Sequence, residues 1–479
     1  MGVSGLWPLL NAVKKCTTLS ECTGKKLAID LSAWILQCGK VKQSGSTKME
    51  EEYLCFRGIF FKTQNLLSLG IIPIFVMDGP TPPALKKKTK CREIFYQKTL
   101  KYKELLLAMG TPVVESCGEA EKTCAELNRQ HIVDGVLTDD GDVFVYGAQT
   151  IFKGASSYKK GEPTEKYVMS DITSELGLTQ RDLVVFALLS KGDFCEGVQD
   201  VGEKKFMEML KEFKQNLVED ALERLKSWKT NEDLMSLTEL QTNWLELSKS
   251  KHCTYCSHEG TKQLHKSSGC IQCKTFRSCT QTPDSQEACD RCTCSYHAAE
   301  SRIKPYRTEL KIRQAALKSN PEFPEEEVIR EFLEPAVLPP DLNTQLSAPN
   351  ISKACDILHQ NVKIAHCKTV EYLKNTFVNM NLYGVPTAYQ IKPTSILKSQ
   401  RHNFEQCYLT EWQIEGMDPS LGIDASCEVQ VPADVFKSSY PDLVQQFTSR
   451  GNKRKADVNL AQPTITSFFK VAKTDRVSK

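Results

Sequence analysis

From Lys26 to about Gly202, short apolar runs alternate with longer segments whose apolar positions recur at helical spacing. LAIDL, IIPIFVMDG, PVVES, GVLTDDGD and QTIFK read as strands, and the stretches between them as helices. This alternation predicts an α/β fold, a mostly parallel central sheet with helices on both faces. From Thr179 to about Met380 the spacing is mostly helical, interrupted by a Cys-rich stretch. Tyr389 to Val431 returns to strand-like runs, and Ala433 to Phe447 reads as one helix. Tyr408, Thr410, Trp412 and Ile414 alternate onto one face and read as core. After Arg450 the chain is polar and basic, with too little apolar content to fold alone. The expected units are 1–205, a helical region 180–385, a Cys-rich insertion 250–298, a strand-rich module 387–450 and a tail 451–479.

The 479 residues, 40% of them hydrophobic, suffice for two or three cores. The net charge is only +3, which excludes a uniformly basic DNA-coating protein, so charge has to be read locally. Lys86 to Lys103 holds eight cations and one acid, and Arg450 to Lys479 eight cations and two acids, which leaves the remainder at −10. No apolar stretch reaches membrane-spanning length, Lys14 and Lys15 interrupt any secretory leader, and Leu6 stands where a myristoylation signal needs Ser or Thr. Eight of the 20 cysteines fall between Cys253 and Cys294, and in a chain without an export signal they read as thiols or metal ligands.

In a sheet of the expected kind, ligands gather beyond the carboxyl ends of the strands. The acids sit there. Asp30 closes the first run and Asp78 the second, Glu119 and Glu121 follow the third, and Asp139, Asp140 and Asp142 follow the fourth, with Asp193 further on in KGDF. Converging carboxylates repel unless cations neutralise them. Mg²⁺ is held by a few carboxylates plus phosphate oxygens, and two such ions roughly 4 Å apart would serve phosphodiester hydrolysis. Each acid taken singly also fits a helix N-cap or loop position, and spacing alone leaves both readings open.

MGVSGLWPLL, LAIDLSAW, FVMDG, GEAEKTCAELN, LTDDGD and GDFCEGVQDVG, in this order, closely resemble the XPG and flap endonuclease family, and within it the GEN class of Holliday-junction resolvases. The resemblance implies that Asp30, Asp78, Glu119, Glu121, Asp140, Asp142 and Asp193 hold two Mg²⁺ ions, which Mn²⁺ could replace. Asp139 falls outside the implied set. Gly2 at the processed N-terminus is implied to lie close to DNA. Lys86 and Arg92 match the family's gateway cations, Arg92 with imperfect spacing. Only 22 residues separate Arg92 from Glu115, too few for the arch and cap that thread a free 5′ end, so the implied gateway is open to continuous strands. Lys191-Gly192-Asp193-Phe194 departs from the usual Gly-(Cys/Ser)-Asp-Tyr without losing a ligand.

Lys87, Lys88 and Lys90 extend the basic run, with Phe95, Tyr96 and Tyr102 interleaved. Beside the acids such a run suits phosphate, although charge runs are commonly solvated helix faces. Gly197 and Gly202 bracket a turn before Lys204 and Lys205. This resembles the family's helix-two-turn-helix, which binds duplex and often a K⁺ ion. Cys253-x-x-Cys256, Cys270-x-x-Cys273 and Cys289-x-x-Cys292 have zinc-ribbon spacing, with Cys279, Cys294, His252, His258, His265 and His297 also available as ligands, which leaves one zinc, two zincs or a metal-free reduced insertion open. The 387–450 stretch resembles the chromodomain-like module of the GEN class. Gln462, Ile465, Phe468 and Phe469 fit the sliding-clamp (PCNA) interaction box, and Lys453-Arg454-Lys455 a nuclear-import cluster. The expectation is a nuclear, Mg-dependent, structure-selective endonuclease acting on branched DNA, monomeric in solution, with pairing on junctions left open. A replication-type 5′ flap endonuclease and a non-catalytic branch-binding adaptor are the alternatives.

Overall fold

A computed structural model describes residues 2–40, 48–81, 85, 92–154, 158–247, 253, 255–256, 258–271, 273–278, 295–402, 405–417 and 424–449. All five expected strands are present as β2 (Lys26–Asp30), β3 (Ile72–Met77), β4 (Val113–Glu115), β5 (Gly135–Leu137) and β6 (Thr150–Lys153). They lie parallel in the order β6-β5-β2-β3-β4. Two strands that the apolar pattern does not announce, β1 (Lys15–Thr18) and β7 (Pro163–Val168), continue the sheet antiparallel beyond β6. Neither contains an apolar run; β7 satisfies the open edge of β6, and β1 in turn pairs with β7.

Strand alternation divides the core. Leu27, Ile29, Phe75 and Met77 face one side, where they meet Trp34 of α2 (Leu31–Lys40) and Phe56 and Phe60 of α3 (Lys48–Ser68). Ala28, Ile74 and Val76 face the other, against Cys124 and Leu127 of α5 (Ala120–Arg129), Phe144 of α6 (Asp142–Val145) and Phe186 of α8 (Gln180–Leu189). Two-sided burial is what parallel strands require. The first side also receives α4 (Arg92–Ala108) and the helices Ile351–Val362 and His366–Leu382. The second takes α1 (Leu6–Leu10), the short turn α7 (Met169–Asp171), and α9 (Glu203–Gln215) with the helical layer beyond it.

Two expectations are corrected. Residues 334–350 are not helical: Pro335, Pro339, Pro340 and Pro349 forbid it, and the segment is fastened to the core by Ser347 N–H on Gly110 O (2.9 Å) and Asn350 N–H on Ala108 O (2.8 Å). The expected helix from Ala433 to Phe447 is two helices, Ala433–Ser439 and 441–449, because Pro441 interrupts it after Tyr440. The strand-rich module is a three-stranded antiparallel sheet, β8 (Gln390–His402), β9 (Glu405–Glu415) and β10 (Ser426–Pro432), with β9 central. Thr410, Trp412 and Ile414 are buried, and Trp412 sits 5.9 Å from the Phe436 ring and 5.7 Å from Tyr440. These aromatics are core, as their alternation predicts. Among the described residues, no helix is long and apolar enough to cross a membrane.

Candidate active site

The carboxyl ends of β2, β3 and β5 open at one place, and the acids that follow them meet there. Asp30 is the last residue of β2, Asp78 follows β3 directly, and Asp140 and Asp142 follow β5. Glu119 caps α5 and Glu121 lies in its first turn. Asp193 stands on the exposed loop after α8, near enough for its charge to oppose that of Asp140. Carboxylate oxygens of Glu121, Asp140 and Asp142 all lie within 4.8 Å of one another. Asp139 turns away to accept from Gly154 N–H (3.0 Å) and Gln37 Nε2 (3.0 Å).

Backbone amides aim these side chains. Ala33 N–H donates to Asp30 (3.1 Å), Ala120 N–H to Asp78 (2.9 Å), Val3 N–H to Asp142 (2.6 Å) and Asp142 N–H to Asp140 (3.1 Å). The first two donors are helix N-termini, which favour negative charge. Repulsion remains. Burial, and then the charges of Asp78 and Asp140, push the Asp30 carboxyl well above the ordinary carboxylate range. Burial and Glu119 raise Asp78, and burial chiefly raises Asp140. A cluster this short of positive charge is a place for cations.

Arg92 supplies part of that charge. From the start of α4 its guanidinium bonds Glu119, lies 3.7 Å from Asp78, and donates to the carbonyls of Gly79 (3.2 Å) and Gly118 (2.9 Å). It is thus a counter-ion of two of the acids. The rest of the described basic run is less available than its sequence suggests: Lys101 pairs with Glu52 (2.7 Å) and Lys103 with Glu115 (3.0 Å). Tyr102 is fully buried and Tyr96 bonds Glu115, so the interleaved aromatics pack α4 rather than face a ligand. Lys86, Lys87, Lys88 and Lys90 lie outside the described residues.

The XPG N-terminal domain matches residues 1–97 and the XPG I-region residues 110–193, so the two matches contain every one of the seven acids. The chain's first 193 residues belong to the XPG family. The chain is 30% identical over 499 residues to the mouse Flap endonuclease GEN homolog 1, covering 96% of this chain and 52% of that protein. It is 30% identical over 517 residues to the human protein of the same name, covering 98% and 54%. The chain therefore spans about half the length of the curated relatives it matches. A solved structure of human GEN1 with Holliday junction DNA shares the fold at a TM-score of 0.64 and 22% identity, covering 95% of this chain and 100% of that one.

In this XPG region the N-terminal arm is part of the site. Gly2, at φ +87°, has a Cα so close to the acids that a Cβ would overlap Asp140 Oδ1. The loop from α8 to α9 borders an open groove of about 570 Å³ lined by Ser4, Lys191, Gln199, Gly202, Lys204 and Lys205, among others. Gly197 turns it at φ +74°, where a Cβ would strike the Lys191 backbone N at 2.6 Å. Lys204 and Lys205 are exposed on the first turn of α9. Of the Cys pairs, Cys253, Cys256, Cys270 and Cys273 come together, whereas Cys289 and Cys292 lie outside the described residues, as do Gln462, Ile465, Phe468 and Phe469. The backbone donors Ala33, Ala120 and Val3 are not assigned from the sequence; only Ala33, in the helix that starts directly after Asp30, has a local signal there.

Proposed function

We propose that this chain is a structure-selective DNA endonuclease of the GEN class, hydrolysing phosphodiesters at Holliday junctions and 5′ flaps with divalent metal ions, in DNA repair and recombination. The observation that carries the reading is the cluster of acids beyond the carboxyl ends of the sheet, where oxygens of Glu121, Asp140 and Asp142 lie within 4.8 Å of one another. That all-oxygen set fits a hard divalent ion, Mg²⁺ or Mn²⁺. Glu121, Asp140 and Asp142, with Asp193, would hold one ion, and Asp30, Asp78 and Glu119 a second. Two bound ions supply a nucleophilic hydroxide at neutral pH and a clamp on the attacking and leaving oxygens.

The chain's own groups do the rest. The amides of Ala33, Ala120 and Val3 fix the carboxylates before substrate arrives, which spares reorganisation during reaction. Arg92 balances Asp78 and Glu119 and, with Lys86, is the cation nearest the scissile phosphate; Lys87, Lys88 and Lys90 extend that field. Gly2, Gly197, Gly202, Lys204 and Lys205 contact duplex phosphates, with K⁺ in the loop before α9. Docking to the PCNA clamp through Gln462, Ile465, Phe468 and Phe469, nuclear residence, and a monomer that pairs on junctions complete the proposal.

A cleavage assay with a 5′ flap, an end-blocked flap and a closed four-way junction, each with Mg²⁺ and with Ca²⁺, tests it. The reading expects Mg²⁺-dependent incision of the closed junction and of the blocked flap. Incision confined to free 5′ ends selects the replication-type flap endonuclease, and binding without incision selects the adaptor. Asp30→Ala and Glu119→Ala should retain junction binding and abolish cleavage; retained cleavage overturns the site.

A further inference from the structure

The Cys-rich insertion contains a second cluster, remote in chemistry from the carboxylates. We propose that Cys256, His258, Cys270 and Cys273 hold one structural zinc ion in a tetrahedral Cys₃His centre. One ligand atom from each of the four lies within 4.8 Å of the other three. His258 Nδ1 is 3.4 Å from Cys270 Sγ and 3.4 Å from Cys273 Sγ. Zinc bonds of about 2.3 Å to sulfur and about 2.0–2.1 Å to nitrogen, at the tetrahedral angle, place such atoms about 3.5 Å apart. A thiol–imidazole hydrogen bond accounts for one of these contacts, but a single ring nitrogen facing two sulfurs at equal distance is the arrangement of ligands about a common centre. Cys273 N–H also points at Cys270 Sγ (3.4 Å), a donor that a thiolate uses better than a thiol.

The packing of this lobe argues the same way. Its apolar cluster, among the described residues, is Cys253, Cys256 and Cys270 with Cys273 at the margin. Its helix, α12 (Lys262–Ser268, following α10 at Ala221–Lys226 and α11 at Glu232–Leu247), has only seven residues. Its largest apolar side chains face water, Ile271 and Phe276 each at 95% exposure. A segment this small, whose core among the described residues is four cysteines, needs a staple. Cys253 and His265 belong to the same neighbourhood, with Cys256, but complete no second set of four among the described residues. His265 Nε2 is held by Glu259 O at 2.8 Å, which fixes its ring beside Cys256.

Metal content can be measured without any cleavage assay, so the zinc centre stands or falls separately from the nuclease reading. Metal analysis of the full chain purified without a metal-binding tag should give one zinc per chain. Exchange for Co²⁺ should give the visible absorption of a tetrahedral site with thiolate-to-cobalt charge transfer. His258→Ala, Cys270→Ser and Cys273→Ser should each lose the ion, whereas Cys289→Ser and Cys292→Ser should keep it, with circular dichroism reporting that the rest of the chain stays folded. No zinc, two zincs per chain, or an ion lost with Cys289 or Cys253 but kept without His258 would each overturn the assignment.

Discussion

Gly2 shows how tightly single atoms are constrained at the carboxylate cluster. At φ +87° the residue lies in the region that disfavours side chains, and a Cβ would approach Asp142 Oδ1 at 2.6 Å and come closer still to Asp140 Oδ1. The neighbouring Val3 N–H bond to Asp142 fixes the same stretch. Gly2→Ala must therefore move either the N-terminal arm or the two acids by about an ångström, and a displacement of that size costs roughly 100-fold in rate when it falls on catalytic groups. The expected result is cleavage lowered by about that factor with the fold retained by circular dichroism, since the buried anchors of the arm, Val3, Leu6, Leu9 and Leu10, are untouched. A wild-type rate in Gly2→Ala would show that the arm's approach to the acids has no part in the chemistry.

The elements differ in how openly the sequence declares them. β2 and β3 are legible because burial on both faces leaves unbroken apolar runs, and the acids at their ends mark where the ligand belongs. β1, KCTT, at the sheet's edge, and β7, PTEKYV, its half-buried neighbour, are not, because each takes its structure from the strand it pairs with rather than from an apolar run of its own. The role of Arg92 as counter-ion to Asp78 and Glu119 depends on how α4 meets α5, which no local spacing encodes. His258 is only partly legible. It is one of four histidines beside the Cys pairs, and only the fold of the lobe singles it out by bringing it to Cys270 and Cys273. The loop before α9 is intermediate. Its glycines are plain in the sequence, while the groove they build is not, and it exposes Lys204 and Lys205 on a helix start. If both lysines meet phosphates, the double variant Lys204→Ala/Lys205→Ala weakens binding evenly across DNA sequences and lowers the slope of log affinity against log salt by about 2. Binding titrations between low and physiological salt measure that slope, and an unaltered one removes both residues from the DNA interface.

The sheet, the helix His366–Leu382 and the C-terminal module are joined through one apolar layer. The face of the sheet that carries Leu27, Phe75 and Met77 shares a continuous cluster with Leu373, Phe377 and Val378 of the helix His366–Leu382, and with Trp412, Ile414, Val431 and Phe436 of the β8–β10 module. Polar ties follow the same path: Gln64 Nε2 on α3 donates to Tyr372 O (3.1 Å), Lys374 Nζ to the carbonyls of Asp424 and Ser426, and Tyr440 Oη to Asn381 Oδ1 (3.1 Å). The helix His366–Leu382 is buried on both sides and has no stable surface of its own if either neighbour loosens. Trp412→Ala removes a fully buried indole at the centre of the module and should cost about 3–5 kcal/mol. Because the layer is shared, that loss should spread beyond the module. Hydrogen exchange should speed up in 366–382 and in α3 as well as in β8–β10, while α5 and α8, packed on the opposite face of the sheet, keep their protection. Acceleration confined to residues 390–449 would show instead that the module opens as a unit of its own, and that the continuous layer does not couple it to the acids at the strand ends.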